Sequence, residues 1–466
     1  MENRSEGNKR ILAAAMITAF MTTFMASALN LSVPALEEYF GVSAAAIGWI
    51  ISTYTITVAA TSLPWGRLAD LTGHRKVFLC GVGGFGLLSF ASIFAVSFPV
   101  LIALRTASGI CAGMIFSTNN ALLIRSYPHE VQGKVLGYST AATYIGLSTG
   151  PVIGGFLNSA FGWRSVFAVS VLVSAAAFIA GLGAAKSESS STSAGGRPAA
   201  HGDHHDISGV LLYIFAIGMS LYGMTSLGSG IRPATMLAAG AVALAFFFIH
   251  ESRAESPIMR VSMFSRSRTF TFSCLAALLN YGATFAISYS ISIYLQVIKG
   301  MSSGHAGLIL IVMPAMQAVF SPVAGSLSDR IRPAVLASTG MGICAFTLLL
   351  FSRIGTGTHL AYIVFALCLT GFGFALFSSP NTNAIMNCVQ PDEFGVANSI
   401  VATMRTYGQS SSLAVISIIT TVVLGTGSLG TSPPSDITRM LHTSFLIFAV
   451  ICVIGLFFSL ARDREK

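Results

Sequence analysis

The chain has 466 residues, 53% of them hydrophobic and only 9% charged, with a mean hydropathy of +0.75 and a formal net charge of +9. Soluble domains carry roughly 25% charged residues, so this chain cannot cover a water-facing globular surface. Its 26 Lys and Arg residues are scattered among the polar segments between long apolar runs, which excludes a nucleic-acid patch as the source of the positive charge.

The apolar runs are about 20 residues long, enough for each to cross a hydrocarbon core of roughly 30 Å as a helix. Six fall within residues 1–184, near 11–33, 44–65, 76–96, 99–123, 135–158 and 164–184, and are expected to form one bundle. The first follows a short polar segment, Met1 to Arg10, and is too long for a cleaved signal sequence, so it reads as a retained helix. Glu37 and Glu38 stand just beyond its far end. The loop after the second span reads Gly66-Arg67-Leu68-Ala69-Asp70-Leu71-Thr72-Gly73-His74-Arg75-Lys76. Glycine there permits close helix approach, and the aspartate can face helix N-termini or arginines across the loop.

In the fourth span, Arg105-Thr-Ala-Ser-Gly109 places a charge among small residues. An intramembrane charge is costly and marks a pathway or a tight polar network; the alternative is an arginine bound to carbonyls of the first helix, holding two helices together. The fifth span carries Gly146-Leu-Ser-Thr-Gly150-Pro151-Val-Ile-Gly154-Gly155. Its glycines at i, i+4 and i+8 clear one helix face, and the proline removes a backbone hydrogen bond.

Residues 185–207 are polar and rich in Ser, Gly and Ala, with the tract His201-Gly-Asp-His-His205-Asp206 at their end. The composition reads as a solvated linker. His and Asp are possible metal ligands, but no metal is assigned here. Residues 208–250 hold two further spans, and residues 251–268 form a second linker with four arginines. The last six spans, near 269–294, 305–327, 333–352, 360–386, 395–424 and 441–461, make a second bundle over residues 269–466. After its second span comes Gly325-Ser326-Leu327-Ser328-Asp329-Arg330, an echo of the loop in the first half.

With the N-terminus inside, nineteen Lys and Arg fall on the cytoplasmic side, five outside, and two (Arg105 and Arg405) within spans. That obeys the positive-inside rule and predicts both termini cytoplasmic. The seven cysteines have no paired spacing and read as small apolar residues.

The two Gly-x-Leu-x-Asp-type loops, half a chain apart, resemble the signature loop of the major facilitator superfamily of transporters. The fifth-span string closely resembles the antiporter motif of its drug-export branches. Arg105 and the small residues after it resemble the family's fourth-helix motif, whose arginine is associated with proton or substrate coupling. Ala28-Leu-Asn30-Leu-Ser-Val-Pro34, Ser379-Pro380-Asn381-Thr382-Asn383, and Asn398 with Arg405-Thr-Tyr407-Gly408-Gln409 are similar to the fourteen-helix drug:proton antiporter branch. One position departs from it: Met25 stands where that branch commonly has an aspartate.

The resemblance implies an all-α membrane protein with the major facilitator fold, two six-helix bundles plus two extra central helices, fourteen transmembrane helices in all. It implies alternating access about a cavity between the bundles. Asp70 with Arg67, Arg75 and Lys76 would latch the inner gate, with Asp329 and Arg330 as the counterpart. Gly150-Pro151 and Gly154 would form the seam between bundles. Asn30 and Asn280, in the first helix of each bundle, would contact substrate.

All seventeen acidic residues lie in loops, tails or span ends. Proton-coupled export of cations usually needs a buried carboxylate that protons and substrate compete for. This leaves Glu37 and Glu38 at the outer mouth, or Asp70 and Asp329 at the inner loops, as candidate proton sites. Arg105 and Arg405 would instead make the cavity positive and favour an anionic or zwitterionic substrate.

Two readings stay open. One is an exporter of small amphipathic, drug-like compounds, proton-linked. The other is an exporter of an anionic or zwitterionic metabolite or amphiphile without that coupling. A transporter-derived sensor is a third, opposed by the intact gating motifs. No nucleophile–base arrangement or nucleotide loop argues for an enzyme. The expected partners are a small-molecule substrate, protons and the lipid bilayer. No nucleic acid and no cofactor is expected, and the protein is expected to be a monomer in the cell membrane. Asn30, Asn119, Asn120, Tyr144, Asn280, Tyr281, Tyr289, Gln317, Asn381, Asn383 and Tyr407 are candidates to line the cavity. Their other use is interhelical hydrogen bonding, worth roughly 0.6 kcal/mol each.

Overall fold

Fourteen long helical segments make up nearly all of the computed structural model, which describes residues 2–42, 44–183, 206–227, 231–424 and 433–462. The histidine tract 201–205 lies outside the described residues. In the first half the helices are α1 (Glu2–Ala28), α2 (Ala44–Thr72), α3 (His74–Ile93), α4 (Phe98–Ser126), α5 (Gln132–Phe161) and α6 (Arg164–Gly183). The central pair is α7 (Ile207–Thr225) and α8 (Ile231–Glu251). The second half comprises α9 (Arg268–Ile298), α10 (Ser303–Ser328), α11 (Pro333–Phe351), α12 (Leu360–Met386), α13 (Phe394–Leu424) and α14 (Pro434–Ala461).

The helix packing repeats between the halves. α1 lies against α5 and α6, α2 against α4, and α3 against α4 and α6; the same pairings recur in the second half with every helix number raised by eight. Two equivalent contacts join the bundles, α5 on α10 and α13 on α2. Twelve of the fourteen segments are long and apolar enough to cross a membrane on length and composition, and the chain is a multi-pass membrane protein. The other two are α5 and α13, the Gly-, Ser- and Thr-rich helices at the seam. A helix pressed on the opposite bundle needs small residues for close approach more than a lipid-compatible surface.

The structure revises two sequence boundaries. The first apolar span does not run through to residue 33, because α1 ends at Ala28 and a 3₁₀ turn, Leu29–Ser32, leads into the short helix Val33–Phe40 with proline in its first turn. The signature stretch is also mostly helix, not loop: α2 continues to Thr72, and the whole connection to α3 is Gly73. Gly73 has φ +107°, a conformation strained for any residue with a Cβ.

The central pair sits across the seam. α7 packs on both α2 and α13, and α8 packs on α7. The Tyr213 hydroxyl in α7 donates to the Ala59 carbonyl of α2 (3.4 Å) and lies 2.9 Å from the Thr403 hydroxyl of α13. One buried cluster therefore contains apolar residues of α2, α7, α8 and α13 together.

Candidate functional site

At one end of the molecule the bundles are closed by two equivalent contacts. The Asp70 carboxylate, near the end of α2, accepts the backbone N–H groups of Gly395 (2.8 Å) and Val396 (3.0 Å) in the first turn of α13. The Asp329 carboxylate, just after α10, accepts those of Gly133 (2.6 Å) and Lys134 (2.9 Å) in the first turn of α5. A helix start leaves its first N–H groups without intrahelical partners and carries the positive end of the dipole. The residue preceding α5, Val131, supplies no capping side chain, so each bundle caps a helix of the other.

Glycine makes the approach possible. A Cβ at Gly66 would collide with the Gly395 carbonyl, and one at Gly325 with the Gly133 carbonyl. In both halves this glycine precedes the capping aspartate by four residues, one turn along the same helix face.

The arginines do not complete these contacts as expected from the sequence. Arg75 donates to the Gly181 (3.1 Å) and Leu182 (3.0 Å) carbonyls, closing the end of α6 in its own bundle. Arg67 lines a separate groove beside α7, while Lys76 and Arg330 are exposed. The side chain closest to Asp70 is instead His74, whose Nε2 lies 3.0 Å from Oδ1 with both side chains buried. A helix end offers two parallel donors where a flexible side chain must be ordered, which explains why the caps take precedence. Burial pushes the Asp329 carboxyl above its ordinary range, against the pull of the Lys134 and Gly133 N–H groups and of the His129 and Lys134 side chains.

From mid-depth toward the opposite end runs a cavity of about 1280 Å³ between the bundles. Tyr144 of α5, Tyr281 of α9 and Phe374 of α12 meet in its wall, with Phe374 edge-on to both tyrosines at 5.7 and 5.3 Å. The Arg405 guanidinium lies 5.8 Å from the Tyr281 ring centre. Asn119, Asn120, Tyr289 and Gln317 also line the cavity. Asn120 donates across the seam to the Asn398 side chain at 2.9 Å. Among the described lining residues there is no Asp or Glu, and Arg405 is the one with a permanent positive charge.

Several candidates lie elsewhere. Asn280 is fully buried beside Cys344 within the second bundle, away from the cavity. Asn381 and Asn383 act as staples, to the Ser273 carbonyl (3.1 Å) and the Ser328 hydroxyl (3.1 Å). Tyr407 is not in the cavity wall either. The side chain of Asn30 lies outside the described residues. Glu37 and Glu38 are on the short helix Val33–Phe40, half-buried and exposed respectively, and neither lines the cavity.

Arg105 is buried behind the cavity wall. Its guanidinium lies 4.3 Å from the ring centre of Tyr54, a lining residue, and its Nε donates at 3.4 Å to the Ile50 carbonyl of α2, not of the first helix. Its Nη1 and Nη2 have no hydrogen-bond partner.

The glycine face of α5 is not the seam between bundles. Cβ atoms at Gly146, Gly150 and Gly154 would strike Phe20, Thr23, Ser27 and Ala28, all of α1 in the same bundle. Pro151 and Gly155, turned the other way, line the cavity. The seam glycines of α5 are Gly133 and Gly137, the latter against Ser321 and Pro322 of α10. Sequence reading missed these, and also Gly395 and Arg125, which donates to the Pro391 carbonyl across the closed end. A signal was present: Pro128-His-Glu130-Val-Gln-Gly133, leading into α5, and Pro391-Asp-Glu393-Phe-Gly395, leading into α13, are similar stretches in equivalent places.

Known proteins share this sequence pattern and shape. The family described as Major Facilitator Superfamily matches residues 15–250 and 273–466. The riboflavin transporter RibZ of Clostridioides difficile is 26% identical over 460 residues, 98% of this chain and 97% of its own. The multidrug resistance protein Stp of Mycobacterium tuberculosis is 29% identical over 412 residues, 87% of this chain and 74% of its own. In shape, the human organic anion transporter MFSD10 superposes with a TM-score of 0.69, covering 97% of this chain and 99% of that one at 13% identity, a likeness of fold alone. With its repeated helix pairings and reciprocally capped bundles, the chain belongs to the Major Facilitator Superfamily of membrane transporters.

Proposed function

We propose that the protein exports small amphipathic, drug-like compounds across the cell membrane by alternating access, as a monomer with both termini in the cytoplasm. The observation that carries this reading is the large cavity, sealed at one end by the Asp70 and Asp329 caps and walled by Tyr144, Tyr281 and Phe374. Aromatic walls with few polar groups suit planar, partly apolar ligands. The relatives named for riboflavin transport and multidrug resistance support the same class of substrate. The basic excess at the capped end supports its assignment to the cytoplasm, so the cavity faces outward and export ends in this state. Rocking of the bundles would break both caps and re-form the seal at the far end. Proton linkage, on this reading, runs through a carboxylate outside the cavity wall, with Asp70 and Asp329 the best placed.

A second reading is favoured by Arg405: with no carboxylate beside it, the site suits an anionic or zwitterionic compound. The two separate in one experiment. Expressing cells are loaded with matched lipophilic dyes, one cationic and one anionic, and efflux is followed with and without a protonophore. Protonophore-sensitive export of both dyes supports the first reading, and protonophore-insensitive export of the anion alone supports the second. Export of neither would overturn both.

A further inference from the structure

The base of the central helix pair holds a group of ionisable side chains that the transport cavity does not use. α7 begins where α8 ends, so Asp206, which caps α7, meets His250 and Glu251, the last two residues of α8. His250 Nε2 lies 2.7 Å from Asp206 Oδ2. One donor atom from each of the three residues falls within 4.8 Å of the other two.

The remaining oxygens of the two carboxylates are already engaged. Asp206 Oδ1 accepts from the Gly209 N–H (2.8 Å) and the Ser208 hydroxyl (2.7 Å), while Glu251 Oε2 accepts from the Met259 N–H (2.9 Å). Glu251 is only 3% exposed, and its Oε1 has no hydrogen-bond partner. A buried carboxylate oxygen without a donor is costly, and beside a second carboxylate it calls for a cation. Gly209 lies directly against the pair, where a Cβ would collide with both Glu251 Oε1 and Asp206 Oδ2. The missing side chain is what lets the two carboxylates converge.

We propose that Asp206, His250 and Glu251 form a binding site for a divalent transition-metal ion of the zinc type, through Oδ2, Nε2 and Oε1. Zinc takes imidazole nitrogen and carboxylate oxygen at about 2.0–2.2 Å, which sets tetrahedral donors roughly 3.4 Å apart, and three protein ligands leave a position for water. His250 Nε2 and Asp206 Oδ2 now touch at 2.7 Å, so the ion would replace that contact and open the pair to this spacing. Two carboxylates select a dication, and the imidazole favours zinc-like ions over magnesium or calcium. The ion would tie the start of α7 to the end of α8 and, through Met259, to the chain that follows. α7 rides on both bundles, and Asp206 shares a groove with Arg67 of the signature helix, so the ion sits where it can stiffen the closed end.

The test is titration of the full-length protein, purified on a tag without histidine and held in lipid nanodiscs, with Zn²⁺ against a chromophoric chelator. One ion per chain is expected, with affinity weakened at least about tenfold in both Glu251→Gln and His250→Ala. A triple variant, His201→Ala, His204→Ala and His205→Ala, should retain the ion, because the neighbouring tract is not the site. His250 is one-third exposed, so His250→Ala carries the test if Glu251→Gln does not fold. Absence of bound Zn²⁺, unchanged affinity in His250→Ala, or loss confined to the triple variant would each overturn the proposal.

Discussion

The Asp70 carboxylate holds the backbone N–H of Gly395 at 2.8 Å, although the two residues stand 325 positions apart in the chain. Asp329 repeats the relationship with Gly133 at 2.6 Å. Each pair joins a carboxylate of one bundle to a helix start of the other, so they hold the closed end together without stabilising either bundle alone.

Removing a capping side chain costs about 1 kcal/mol. Asp70→Ala and Asp329→Ala are each expected to shift the closed-end equilibrium by that amount, and transport should slow while the protein stays folded. Spin labels at Thr72 and Asp392, both exposed and on opposite bundles, report the change as a larger population of long distances. An unchanged distance distribution in both variants would reduce the caps to a minor part of the seal.

Close approach of the backbones is the second requirement. Gly66→Ala and Gly325→Ala would drive a methyl group into the Gly395 and Gly133 carbonyls. Neither methyl can be accommodated by a side-chain rotation, because backbone stands opposite it. The expected result is a closed end that opens further than in the aspartate variants, with thermal stability of the separate bundles little altered. Wild-type distances between the same labels would show that the bundles have slack at this point.

The two halves of this latch were unequally legible in the sequence. Gly66, Asp70, Gly325 and Asp329 stand out because small and acidic residues are conspicuous at the ends of apolar spans. Helix N-termini were one of the two partners open to the aspartates in the sequence, but which helix supplies them leaves no mark in side-chain chemistry, and the latch was expected to draw on Arg67, Arg75, Lys76 and Arg330. The fold was legible for a related reason: spans and basic loops are set by lipid and water, whereas contact between helices is set by distance. The same limit applied to Gly146, Gly150 and Gly154. A cleared helix face is visible in sequence, but whether α1 or the other bundle fills it is not. Asn280 and Tyr281 are neighbours in sequence, yet only Tyr281 faces the cavity, since adjacent helical residues point about 100° apart.

Acidity should act through Asp329. Burial raises its carboxyl above the ordinary range, so the closed arrangement binds a proton there more tightly than an exposed carboxylate does. The linkage sign follows: this contribution to closure is fully present at low pH and is lost as pH rises through the raised value. The closed population should fall across the upper carboxylate range as pH rises, and Asp329→Asn should flatten that step. A step of the opposite sign, with acid opening the end, would mean that the ionised cap outweighs its cost of burial.

The two intramembrane arginines should separate by substrate charge. Arg405 lines the cavity beside Tyr281, where its charge can act on a bound compound, while Arg105 is shielded from it by Tyr54. At 5–6 Å and an effective dielectric near 20, a charge contributes about 3 kcal/mol, reduced severalfold by water and salt. Arg405→Gln is therefore expected to raise KM for an anionic dye by roughly tenfold, and to leave a neutral dye of the same shape nearly unchanged. Arg105→Gln keeps a donor for the Ile50 carbonyl but removes the charge stacked on Tyr54, so it should lower turnover of both dyes alike without changing their ratio. Efflux of the paired dyes from proteoliposomes measures both effects together. If Arg105→Gln alters the ratio and Arg405→Gln does not, the substrate reaches behind Tyr54, and the guanidinium with two open nitrogens becomes its anion site.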